Sequence, residues 1–246
     1  MGRRYLPLVA AGLLAAGPGH AQNVDVLSVA PPTAFYIETD VAGNDDLTDC
    51  DWYHSADTFL DEQTDIGDGC QVNVRIRGAL SRDGAFRFYS LVERLEALGH
   101  RVAAVELDSR GGDAEAAISI ARLMRQSDVF SAVPAETRVS AGYQSVCLSA
   151  CVVVFAAGYR RSLEFNITDS VPSRLGIHGP GQFDRSAGRY DTSATNRDIR
   201  RVGQRLKAFF ETVGVAGQFV DDMFALPFDE IRLLSREELV GYGLYD

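Results

Sequence analysis

Three short segments carry residues whose types and spacing suit acyl-transfer chemistry. Ser149 sits in Cys147-Leu148-Ser149-Ala150-Cys151, ahead of the apolar run Val152 to Ala157 and Gly158. A serine opening an apolar helix among small neighbours has an uncrowded hydroxyl in the helix-terminal field, a nucleophile-like position. The same placement also suits a plain helix N-cap. His178 follows 29 residues later in Gly176-Ile177-His178-Gly179-Pro180, where an apolar stretch meets a turn. An imidazole there can serve as a general base, or simply as a satisfied structural residue. The third segment is Leu107-Asp108-Ser109-Arg110-Gly111-Gly112. Two glycines free the backbone to approach a ligand, and a following helix adds partial positive charge at its N-terminus. That is the chemistry of an oxyanion hole, and it also describes an ordinary strand-to-helix turn.

Few other residues compete for these roles. Lys207 is the only lysine, and the four histidines are His20, His54, His100 and His178. His54 lies in an irregular N-terminal region, and His100 directly follows a helix-stop glycine. With 24 basic and 34 acidic residues the 246-residue chain has a net charge of −10. Such an acidic protein is a poor partner for nucleic acid or an anionic membrane.

The amino terminus reads as a secretory signal peptide over residues 1–21. Arg3 and Arg4 precede an apolar run from Leu6 to Ala16, and Gly19 and Ala21 supply small residues for cleavage after Ala21. No later run is long enough to span a bilayer. The expected location is therefore periplasmic or secreted. Residues 22–70 form an irregular segment, in which Phe35 to Thr39 reads as an edge strand. The acidic stretches Asn44 to Asp51 and Asp61 to Gly69 read as solvated loops. Asp45, Asp46 and Asp51 miss the spacing of a calcium loop, and no metal site is expected.

From residue 71 the pattern becomes regular. Val72 to Gly78 alternates as a strand. Asp83 to Gly99 has helical spacing in Phe86, Phe88, Leu91, Leu95 and Leu98, with Gly99 as the stop. Val102 to Leu107 reads as a buried strand. Ala114 to Gln126 reads as a helix with Ile118, Ile120, Ala121 and Met124 inward. Val129 to Val133 reads as a third strand, and Cys147 to Ala157 as a short apolar helix. Ser193 to Val213 reads as an amphipathic helix. Alternating strands and helices predict a single α/β domain over 71–246, built on a largely parallel sheet.

All four cysteines, Cys50, Cys70, Cys147 and Cys151, follow the signal peptide. An even count in an exported chain points to disulfides, and four cysteines allow three pairings. Proximity in sequence favours Cys50–Cys70 and Cys147–Cys151. The spacings do not make a zinc framework. A Cys147–Cys151 bond would fasten the turn that presents Ser149.

Taken together, the three segments resemble the Clp protease proteolytic subunit, within the ClpP/crotonase superfamily, and most closely its exported, ATPase-independent bacterial relatives. Ser109-Arg110-Gly111-Gly112 is similar to the family's Ser-Pro-Gly-Gly oxyanion turn, with Arg110 in place of proline. Leu148-Ser149-Ala150-Cys151 and Ala157-Gly158 resemble the nucleophile segment, and Gly176-Ile177-His178-Gly179-Pro180 resembles Met-Ile-His-Gln-Pro. Leu234 to Leu239 and Tyr242 to Asp246 look like the family's tail. The resemblance spans roughly 71–246 and implies a fold of repeated ββα units around a largely parallel sheet. Leu163 to Pro172 reads as an insertion relative to the family.

What the resemblance implies is serine-peptidase chemistry without a cofactor. His178 takes the Ser149 proton, Ser149 attacks a peptide carbonyl, and the Gly112 and Ala150 amides hold the oxyanion. Ser149 and His178 are then expected within hydrogen-bond reach. The family's acid position falls on Ile231, so Asp229 is the nearest substitute on the same face of an extended segment. Peptides or unfolded segments are the implied substrates. An ATP-driven partner is not implied outside the cytosol, and family members assemble as homo-oligomers. Two other readings stand beside it: a catalytically inactive module that binds peptides or partners, and a crotonase-type acyl-CoA enzyme, which export disfavours. A Ser–Lys dyad would need Lys207, which reads as a solvated charge.

Overall fold

The computed structural model describes residues 33–39, 53–55, 69–131, 135–140, 145–164, 173–184, 189–192 and 196–245. The expected signal peptide, the acidic stretches before Gly69, Cys50 and most of the expected insertion lie outside them.

The main sheet has six strands: β1 (Ala34–Thr39), β2 (Tyr53–Ser55), β3 (Gln71–Arg77), β4 (Arg101–Asp108), β5 (Glu136–Val139) and β7 (Arg160–Leu163), in the order β2-β1-β3-β4-β5-β7. The pairs β3–β4, β4–β5 and β5–β7 are parallel, while β1 runs antiparallel to both β3 and β2. The chain is thus α/β with a largely parallel core. The segment expected as an edge strand lies one place inside the edge, because β2 pairs with its outer side.

The expected helices over 83–99 and 114–126 are α1 (Arg82–Ala97) and α2 (Ala114–Gln126). Ser81 caps α1 by accepting from the Gly84 amide, and Asp113 caps α2 by accepting from the Glu115 and Ala116 amides. Phe88, Leu91, Val92 and Leu95 of α1 face the core, but Phe86 points outward and is 74% exposed. Spacing near helical periodicity put Phe86 and Phe88 together, yet two residues apart on a helix lie about 200° round its axis. Phe88 stacks between Phe35 and Phe130, with ring centroids 5.5 and 5.9 Å away. Burying a side chain of this size stabilises the fold by about 1.5–3 kcal/mol.

Two expected elements differ. The strand expected at Val129 to Val133 is instead a short helix, α3 (Asp128–Ser131), and the third parallel strand is β5. Val129 and Phe130 are buried on one helical turn, entered through Ser127, whose Oγ accepts from the Val129 amide at 3.3 Å. In β5, Thr137 and Val139 point into the core while Glu136 and Arg138 pair on the other face. The helix expected from Cys147 begins only at Cys151. Cys147–Leu148 form β6, and α4 spans Cys151–Ala156.

A second sheet of three strands, β11 (Arg232–Leu233), β8 (Leu175–Ile177) and β6, runs in that order. It joins the first where the end of β4 pairs with β6 through a Ser109–Cys147 bridge. A two-stranded ribbon, β9 (Gln182–Asp184) with β10 (Arg189–Asp191), follows β8. The expected amphipathic helix is α5 (Arg197–Thr212), capped by Asn196, with Ile199, Leu206, Phe209 and Phe210 buried. Helices α6 (Gln218–Phe224) and α7 (Arg236–Tyr242) complete the chain, the latter opened by a Ser235/Glu238 capping box. Among the described residues no helix is long and apolar enough to cross a membrane.

Candidate active site

The three segments singled out in the sequence meet where the two sheets join. Strand β6 lies between the extension of β4 and strand β8. The Leu148 amide donates to Ser109 O at 2.9 Å, and the Cys147 and Ser149 amides donate to Arg174 O and Gly176 O at 3.0 and 2.7 Å. Strands β6 and β8 are parallel, with Leu148 opposite Gly176. Ser149 and His178 therefore both leave the C-terminal ends of neighbouring parallel strands.

Ser149 has φ +54, the only described non-glycine residue with positive φ. Such a backbone costs on the order of 1–3 kcal/mol and persists only where its surroundings enforce it. Here the enforcement is visible. The Ser149 amide is bonded to β8, the chain turns at once into α4, and a Cys147–Cys151 disulfide with a Cα–Cα distance of 5.2 Å closes the turn. That bond was expected from the sequence. Cys70 is also disulfide-bonded, and Cys50, its expected partner, lies outside the described residues. Ser149 is not the helix N-cap; that position belongs to Ala150, which makes no side-chain cap.

Gly111 and Gly112 have φ +100 and +139; Gly111 packs against this turn and Gly112 against the Leu80 backbone. A Cβ added at Gly111 would stand 2.6 Å from Ser149 Cβ and 3.1 Å from the Ala150 nitrogen. The glycine is thus required by contact as well as by backbone angle. The turn is pinned from below by Ser109, whose hydroxyl donates to Gly78 O at 2.6 Å and accepts from the Gly111 amide at 3.1 Å. On its other side, Leu80 N donates to Gly111 O and Asp113 N donates to Leu80 O. Gly112 sits between these two bonds, so the pairing with Leu80 leaves its own amide unused. Among the described residues neither the Gly112 nor the Ala150 amide has an acceptor, and Ala150 directly follows Ser149.

His178 is buried, with 8% exposure. Its Nδ1 lies 2.6 Å from Gly179 O, and its ring meets Phe228 edge-on at 5.4 Å. A carbonyl oxygen only accepts, so Nδ1 carries the proton and Nε2 the lone pair. Burial holds the imidazole below the usual histidine range, and the Gly179 bond opposes this more weakly. The ring is therefore neutral at pH 7, the form a general base needs. Among the described residues Ser149 Oγ has no hydrogen-bond partner, so the contact expected between Ser149 and His178 is not made in this resting structure.

Asp229, the expected substitute acid, is exposed, and no hydrogen bond or ion pair links it to His178. The residue at the family's acid position, Ile231, is buried and would touch a Cβ placed on Gly176. Lys207 pairs with Asp221 of α6 at 2.5 Å. Two contributors went unnoticed in the sequence: Phe228, for which no local signal exists, and the Ser109 hydroxyl. The latter follows from the habit of serine to bond a backbone amide two residues on.

No family model matches the chain, and no curated protein matches its sequence. Among solved structures it is similar to the S97A mutant of the 1510-N membrane-bound stomatin-specific protease. There the TM-score is 0.48 at 16% identity, over 70% of this chain and 75% of that one. It is also similar to ClpP1 from Listeria monocytogenes, with a TM-score of 0.44 and 14% identity over 68% and 84% of the two chains.

Proposed function

We propose that the protein is an exported, ClpP-like serine peptidase that cleaves peptides or already unfolded segments without an ATPase partner. The observation that carries this reading is Ser149 itself, a strained residue at a strand-to-helix turn, with Gly111 packed against it and the free Ala150 amide directly following it. Ser149 Oγ attacks the peptide carbonyl, His178 Nε2 accepts its proton, and the Gly112 and Ala150 amides receive the oxyanion. Collapse of the tetrahedral intermediate breaks the C–N bond, and the imidazolium returns the proton to the leaving amine. Water then repeats the sequence on the acyl-enzyme. The Ser–His hydrogen bond forms when substrate closes the gap, since such contacts often tighten only in the complex.

Export is supported by the Arg3-Arg4 and Leu6 to Ala16 pattern and by cysteines held as disulfides. The competing reading, an inactive ClpP-like binding module, is favoured by the missing carboxylate partner of His178. A fluorophosphonate probe separates the two. The peptidase reading expects stoichiometric labelling at Ser149 that disappears in Ser149→Ala. A chain that binds peptides but takes no label at Ser149 is the inactive module.

A further inference from the structure

We infer that the main-chain carbonyl of Gly179, and not a carboxylate, is the group that orients His178, so that the site works as a Ser149–His178 dyad. This rests on the peptidase reading above and adds a positioning residue to it. In a triad the acid has two tasks: it holds the imidazole with its proton on Nδ1, and it stabilises the imidazolium. The first task is already performed here by Gly179 O at 2.6 Å. That carbonyl is not free to drift. The Gly179 amide donates to Pro227 O at 3.0 Å, and a Cβ at Gly179 would fall 2.0 Å from Leu226 O. Leu226 and Pro227 thus clamp the peptide on one side, while Phe228, the next residue, sets its edge against the imidazole. The segment that brings an acid toward the histidine in the resembled family brings an aromatic ring here. Asp229, one residue later, is exposed.

The second task is left mostly undone. A neutral carbonyl stabilises a positive ring less than a carboxylate does, because it offers a dipole in place of a charge. The dyad therefore keeps the right tautomer and gives up part of the stabilisation of the charged intermediate.

The imidazole nitrogens report the outcome directly. In the full-length mature protein, 15N-resolved NMR of His178 is expected to show the proton on Nδ1 and a lone pair on Nε2. Asp229→Asn is expected to leave those shifts unchanged and to keep kcat/KM within about twofold of wild type. If Asp229 were the orienting acid, the same substitution would cost about 10⁴-fold, as loss of the tautomer does in a triad. A proton on Nε2 in the wild type, or such a loss in Asp229→Asn, overturns the inference. Gly179→Ala, which must displace the carbonyl, is expected to lower kcat while KM changes little. The NMR result does not depend on turnover. A chain without serine labelling but with the Nδ1 tautomer therefore counts against the peptidase reading alone.

Discussion

The Ser149 side of the site is fixed by main-chain bonds to two different strands, a disulfide and a glycine contact, whereas the His178 side hangs on one local hydrogen bond and one aromatic edge. The first arrangement is knitted into the junction of the two sheets, so damage there costs folding and activity together. The second is a buried side chain on a short connection, so its loss touches chemistry more than stability.

The largest expected difference comes from removing the reacting groups. Ser149→Ala and His178→Ala should each lower kcat/KM by about 10⁴-fold or more, and nearly the same as the double variant, because the two act as a unit. Melting temperatures of both should stay close to wild type. Additive losses in the double variant would show that the two residues do not cooperate.

Next comes the glycine contact. Gly111→Ala forces a Cβ to 2.6 Å from Ser149 Cβ at a φ of +100. Activity should fall by about 10²–10³-fold, the loss typical of a disturbed oxyanion hole, together with roughly 1–3 kcal/mol of stability. Peptide hydrolysis and chemical denaturation measure the two losses, and an active, fully stable variant would break the contrast drawn here.

The histidine side answers to pH. Because burial holds His178 below the ordinary histidine value of about 6.5, the base stays neutral and active somewhat below that pH. On further acidification kcat/KM should drop about tenfold per unit. Stability follows the same group. Between about pH 6.5 and the lower folded-state value the unfolded chain binds a proton that the folded chain refuses, so stability is full above 6.5 and is lost as pH falls through this window. His178→Gln should flatten that part of a melting-temperature profile.

The smallest effect belongs to the disulfide. Replacing Cys147 and Cys151 by alanine reopens a loop of about five residues, worth on the order of 2 kcal/mol by loop-closure entropy. A larger loss of kcat than of stability would sharpen the view that the bond serves the turn itself.

How much of this could be read in the sequence depended on how local each determinant was. Helix α2 was legible residue for residue, since Asp113 caps it and its apolar positions repeat at helical spacing. Strand β5 was hidden because Glu136 and Arg138 make it look like a charged loop. The further partners of Arg138, Glu106 and Glu164, come from neighbouring segments no local window contains. The apolar pair Val129 and Phe130 attracted the strand assignment in its place. At the site, the residue types and order of the three motifs were legible. The positive φ of Ser149 was not, because a left-handed serine is imposed by tertiary contacts. Nor was the failure of Asp229 to reach His178, since one intervening residue, Phe228, takes the place beside the ring.

In the proposed reaction Ser149 attacks a carbonyl whose oxygen is received by the Gly112 and Ala150 amides. A crystal structure of the phosphonylated protein tests it most directly. The expected adduct has a covalent bond from Ser149 Oγ to phosphorus, with one phosphonyl oxygen about 2.7–3.1 Å from both amide nitrogens. A phosphonyl oxygen turned to solvent, or an adduct on any residue other than Ser149, would contradict it.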